Sequence, residues 1–123
     1  MNRKDAQKFA AEWASAWNHR DIETVLRHFH DLISFTSPTA LAVFGLATVN
    51  GKNALRAYWM EALRRIKTLH FNVERVVWDA KSRELAIIYI SEIDGKSKRV
   101  SENLTFDPNS LVVSAEVFHG IAY

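Results

Sequence analysis

Glu102 lies in the segment Val100-Ser101-Glu102-Asn103-Leu104-Thr105-Phe106, which alternates as a half-buried strand does, with residues 100, 102, 104 and 106 on the apolar side. A carboxyl on that side loses its hydration, which disfavours the anion, so such a group is protonated, paired or put to use. A carboxyl whose pKa is raised in this way can serve as general acid, general base or hydrogen-bond donor to an oxyanion. Tyr89, diagonally across on the preceding strand, is placed to hydrogen-bond it. The same pattern also describes a structural buried acid satisfied by Tyr89 or by water, and both readings stand at this point. His119 has the same inward parity on the last strand and titrates in the range where a proton shuttle works.

Two turns set the register that relates these residues. Asp94-Gly95 is a strong two-residue hairpin signal. It puts Ile93 opposite Lys96, Tyr89 opposite Val100 and Ile87 opposite Glu102. If residues 107–110 form the next loop, Phe106 faces Leu111 and Glu102 faces Ala115. His119 is then four residues beyond the point opposite Glu102, about 14 Å along the strand. One sheet face carries Leu85, Ile87, Tyr89, Val100, Glu102, Leu104, Phe106, Val113, Ala115, Val117 and His119, and helices must cover it. The other face mixes Ile88, Ile90, Val112 and Phe118 with polar residues, which is too apolar for a face that meets only water. That mixture predicts a homodimer through the outer face.

The covering elements are read from helical spacing. Phe9, Ala10, Trp13, Ala14 and Trp17 make one broad apolar stripe. Asp21 caps a second, shorter helix bearing Ile22, Val25, Leu26 and Phe29. Residues 31–37 read as a short strand ended by Ser37-Pro38, and residues 39–50 as a long, mostly apolar connection. Gly51 opens a third helix with Leu55, Tyr58, Trp59, Ala62, Leu63 and Ile66 inward. The strand near residues 69–78 changes parity between Phe71/Val73 and Val76/Trp78, which predicts a bulge and a bent sheet. The fold class is α+β, three N-terminal helices packed on a strongly bent antiparallel sheet, in a single domain over residues 1–123.

Composition excludes several functions. With 16 basic and 14 acidic residues the net charge is only +2, against the concentrated basic face that nucleic acid requires. The run Arg64-Arg65-Ile66-Lys67 falls at a helix C-terminus, where cations complement the dipole. Without cysteine there is no disulfide, thiolate catalysis or thiolate-bound metal. His28 and His30 lack the spaced partners of a metal site, and His70 has outer-face parity. Neither a cofactor nor a metal is expected. The polar start Met1-Asn2-Arg3-Lys4-Asp5 and the lack of a membrane span make a cytoplasmic protein the expectation.

The segments Trp17-Asn18-His19-Arg20-Asp21, the run from Phe29 to Pro38, Gly51 to Trp59, and Leu104-Thr105-Phe106-Asp107 followed by residues 112–120 resemble, in their order and spacing, the nuclear transport factor 2-like superfamily. This is the SnoaL-like or ketosteroid isomerase-like cone fold. The resemblance implies a conical cavity between helices and concave sheet, and a homodimer through the sheet's outer face. It implies no single activity, since such folds serve isomerases, cyclases, dehydratases, epoxide hydrolases and binding modules. In the isomerase group an Asp base precedes a proline where this chain has Ser37, and Trp13 replaces the oxyanion-donating tyrosine. The neutral acid of that group, which donates a hydrogen bond from an apolar site, matches Glu102 in kind.

The sequence therefore predicts a pocket protein for a compact apolar carbonyl compound. It is either a cofactor-free acid–base enzyme of isomerase, cyclase or dehydratase type, or a binding module for an apolar metabolite, or a dimeric interaction module. The expected working groups are Glu102, His119 and Tyr89, with Trp13, Trp17, Tyr58, Trp59, Ile87, Leu104, Ala115 and Val117 lining the ligand space.

Overall fold

The computed structural model describes residues 1–122. Helices α1 (Arg3–Asn18), α2 (Ile22–Leu26), α3 (Pro38–Phe44) and α4 (Lys52–Arg65) cover one face of a sheet built from β1 (Phe29–Thr36), β2 (Thr48–Asn50), β3 (Leu69–Asp79), β4 (Glu84–Ile93), β5 (Lys96–Phe106) and β6 (Val112–Ala122). The strand order is β2-β1-β6-β5-β4-β3.

Each helix begins where the sequence supplies a partner for its free N–H groups. Asn2 and Asp5 form a reciprocal capping box on α1, and the Asp21 carboxylate accepts from the Thr24 N–H at the start of α2. The buried stripe of α1 is Ala6, Phe9, Ala10, Trp13, Ala14, Ala16 and Trp17. At its C-terminal end the Asn18 side chain exchanges two hydrogen bonds with the backbone of Phe71, at 2.7 and 3.0 Å, and so fixes the helix on β3.

The hairpin between β4 and β5 matches the sequence expectation, because Asp94 (φ 51°) and Gly95 (φ 81°) both take the left-handed conformation that a two-residue turn demands. Ile93 pairs with Lys96, Tyr89 with Val100 and Ile87 with Glu102. The bulge in β3 is also present, between Val73 and Arg75, and it turns Val76 and Trp78 inward.

Besides Phe29, which opens β1 rather than lying on α2, four features differ from the sequence reading. The apolar connection after Ser37 contains a helix, α3, so there are four helices rather than three. Ser37 caps it through Thr39 N–H, Pro38 opens it, and Gly45 (φ 75°) closes it. The sheet is mixed rather than antiparallel, since β1 runs parallel to β6. The β5–β6 register is offset by two residues from the expected one, with Glu102 opposite Val117 and Leu104 opposite Ala115. The cause is the loop after Phe106, where Asp107 Oδ1 accepts from the N–H groups of Asn109 and Leu111 and Phe106 pairs with Val112 rather than Leu111. A bulge at Val113 follows, so Val112 points into the core, fully buried, and does not belong to the outer face. Beyond the bulge Ala115, Val117 and His119 keep their inward parity.

Candidate active site: a carboxyl at the floor of the cone

Phe9 and Phe106 meet edge to face at 5.3 Å, and Trp78 closes on Phe106 at 6.0 Å, so the narrow end of the cone is filled with side chains. Trp13, Ile87, Leu104 and Ala115, expected to line the ligand space, are core residues instead and do not border the cavity. The bulk of the aromatic residues at that end leaves open space only in the wider half. There a cavity of about 120 Å³ is bordered by Trp17, Tyr58, Trp59 and Val117, four of the expected lining residues, and by Glu102, Tyr89 and His119. The three candidate working groups thus share one cavity.

Its lining divides by depth. Tyr89, Val100, Glu102, Ser37, Tyr58, Trp59 and Val117 are buried and form the floor, whereas Ile66, Leu69, Ile93, Lys98 and His119 are half-buried and form the mouth. Glu102 is 5% exposed. Burial pushes its carboxyl up to about 7, against a smaller opposing effect of the Tyr89 hydroxyl, which donates to Oε1 at 3.2 Å. With Oε1 occupied as acceptor, the acid proton belongs on Oε2. Tyr89 is itself held by ring contacts to Phe71 at 4.7 Å and Trp13 at 5.0 Å. Burial first, and the charge of Glu102 second, raise the Tyr89 phenol well above its ordinary value, so it stays a donor.

Tyr58 adds a second phenol, raised to about 12 mainly by burial and moderated by the Ser37 hydroxyl. Ser37 is buried at the cavity wall, and its Oγ accepts from Thr39 N–H at 3.1 Å. Its hydroxyl serves as a helix cap and polar wall, and no base stands beside it among the described residues as a nucleophile would need.

His119 sits opposite Val100, two residues from the point facing Glu102, so the two are separated by about 7 Å along the strand rather than the expected 14 Å. The Lys98 Nζ lies 3.2 Å from its Nδ1. Burial, then the Lys98 charge, lowers the His119 pKa and favours the neutral ring. Lys98 and the buried Ser91 were absent from the sequence expectation, although both have inward parity. None of the other four histidines borders the cavity: His28 packs edge-on against Phe9 at 5.0 Å, His30 accepts from Leu32 N–H, and His19 and His70 lie outside the lining. Among the described residues no cluster of metal-ligating side chains occurs, and no helix is long and apolar enough to cross a membrane.

The rim beside the mouth is tied down. Arg20 donates to the carbonyls of Leu63, Ile66 and Lys67 at the end of α4. Asp94 Oδ1 accepts from the N–H groups of Lys67 and Thr68, bonds that hold its carboxyl below the usual range.

The fold has counterparts among solved structures. Over 98% of both chains the structure matches a SnoaL-like protein of unknown function from Burkholderia thailandensis, with a TM-score of 0.87 and 30% identity. An epoxide hydrolase/cyclase-like enzyme with a role in pyran ring formation in the polyether salinomycin shares the fold at 15% identity and a TM-score of 0.76, over 98% of this chain and 94% of that one. A steroid delta-isomerase from Pseudomonas aeruginosa does so at 20% identity and a TM-score of 0.71, over 94% and 80%. No curated protein matches the sequence. The SnoaL-like domain model matches residues 10–110, from within α1 through the carboxyl-bearing strand β5, and on that match the chain belongs to the SnoaL-like family, as a pocket protein of the nuclear transport factor 2-like superfamily.

Proposed function

We propose that this chain is a cofactor-free acid–base enzyme that acts on a compact, largely apolar carbonyl compound, by isomerisation, cyclisation or dehydration. The observation that carries the reading is Glu102: a carboxyl at the cavity floor, titrating near neutrality, with Tyr89 bonded to one oxygen. A group poised there can give a proton to a carbonyl or departing hydroxyl oxygen and take one back from carbon within a single turnover. In a dehydration the hydroxyl leaves as water with the Glu102 proton, and the proton lost from the neighbouring carbon restores the acid. Tyr89 orients the carboxyl. His119, with Nδ1 engaged by Lys98, assists as a donor at the mouth.

A second reading, a non-catalytic binding module, is supported by one observation: among the described lining residues Glu102 is the sole carboxyl, with no second acid or base at the floor. The deciding experiment is native mass spectrometry of the purified protein, identification of the released small molecule, and assay of its conversion by the wild type and Glu102→Gln. Conversion that falls by about 100-fold or more in a folded, ligand-retaining variant supports the enzyme. Unchanged conversion removes Glu102 from the mechanism, and a ligand recovered unchanged from the wild type establishes the binding module.

We further infer self-association through the outer sheet face, where Ile88 and Ile90 are half-buried and Phe118 is 51% exposed. Phe118→Glu should then give a monomer by light scattering, and an unchanged mass would reject that face. We also propose a cytoplasmic setting, since a chain without cysteine needs no oxidising compartment.

A further inference from the structure

The mouth of the cavity carries a cation that acid–base chemistry at the floor does not use. Lys98 is half-buried, borders the cavity, and lies two residues along β5 from Val100, the strand partner of His119. An ammonium has donors only, so in the 3.2 Å contact it is the histidine Nδ1 that accepts. The ring is then neutral and carries its proton on Nε2, which makes His119 a donor as well. Ser91, the strand partner of Lys98, is buried and borders the same cavity at the level of Lys98.

The mouth therefore offers hydrogen-bond donors and one positive charge. Four arginines are neutralised by acids: Arg56 by Glu23, Arg64 and Arg65 by Glu61, Arg99 by Glu74. Among the described residues none of these ion pairs involves Lys98, and Glu102, the sole acid of the described lining, belongs to the floor.

We propose that Lys98, with His119 and Ser91, binds the carboxylate of the substrate, so that the ligand is a compact oxo-carboxylic acid, its carbonyl at Glu102 and its carboxylate at the mouth. This rests on the reading of the cavity as a site for a small carbonyl compound, and adds to it the second functional group and its orientation. One lysine beside a neutral imidazole balances a single negative charge, which favours a carboxylate over a doubly charged phosphate. Lys98 and Glu102 stand about 14 Å apart along one strand, and their side chains border one cavity of about 120 Å³. A cavity of this order holds roughly one six-membered ring. The same lining carries the apolar side chains of Phe35, Trp59, Leu63 and Phe71.

The test is the affinity of 4-oxocyclohexanecarboxylate against its primary amide, read by calorimetry or by the fluorescence of Trp17 and Trp59. The acid should bind about ten-fold tighter or more than the amide, as a charge-assisted contact requires. Lys98→Met should abolish that preference, and Lys98→Arg should retain it. Equal binding of acid and amide by the wild type, or a preference that survives Lys98→Met, overturns the carboxylate site and leaves the carbonyl pocket standing. Binding of neither probe overturns both.

Discussion

The two faces of the sheet hold glutamates in opposite electrostatic states. On the outer surface Glu74 is bonded by Arg99 at 2.8 Å, and that bond keeps its carboxyl below the ordinary value. On the inner face Glu102 has a phenol in place of a guanidinium, and burial carries its carboxyl up to about 7. The outer carboxyl is a charge in water with a partner; the inner one is a proton reservoir. What separates them is access to solvent and whether the nearest group is charged, not residue type.

That contrast can be tested by removing one side at a time. The largest effect on stability is expected at Glu102. Between pH 4.5 and 7 the folded chain keeps a proton there that the unfolded chain has released, so unfolding free energy falls as pH rises through that window and levels off above it. Over the whole window the loss is ~3 kcal/mol. Glu102→Gln should flatten this part of the stability–pH curve in urea titrations; an unchanged slope would mean the carboxyl titrates normally. If Glu102 acts as a proton donor, turnover should also decline above about pH 7, and a rising limb would reassign it as a base.

A smaller change is expected for Tyr89→Phe. The hydroxyl lowers the Glu102 pKa, so its removal should move the carboxyl further up, as read by carbon-13 NMR titration of the labelled glutamate. Loss of the bond should cost about 1 kcal/mol. A downward shift would contradict the assigned direction of the hydrogen bond. The smallest effect belongs to the outer face: Glu74→Gln removes an exposed pair and should leave the melting temperature nearly unchanged. A large drop there would erase the distinction between the two faces.

Much of the inner face was legible in the residues because Asp94-Gly95 permits only one tight hairpin, and alternation does the rest from Tyr89 to Glu102. The pairing of β6 was less legible, since the Asp107 side chain organises a loop whose length is set by Asx bonding and by Ser110 at φ 64°, not by residue count. The two-residue offset preserved parity and so hid itself, yet it decides whether His119 reaches the same cavity as Glu102. The bulge that follows reversed Val112. The helix α3 had its signals in place, Ser37 before Pro38 and Gly45 after Phe44, within a stretch read only as an apolar connection. Lys98 was visible too, on the parity of Val100 and Glu102. A charged residue near a strand end is normally assigned to solvent, and only the helices closing over that end make it a lining group. The division of the cone into a filled tip and an open base depends on ring packing, which no periodicity records.

The bonds from Arg20 tie the end of α4 to the turn between α1 and α2, and those from Asp94 tie the segment after α4 to the β4–β5 hairpin. The mouth is therefore a vice with one fixed jaw. The second jaw is α3, a seven-residue helix that rests on α4 through Phe44 and Tyr58 at 5.3 Å, whose Leu41 and Phe44 are exposed and whose Thr39 borders the cavity. Changes of substrate among chains built on this plan are therefore expected in the segment between Ser37 and Ala47, leaving the Lys98 side of the rim in place.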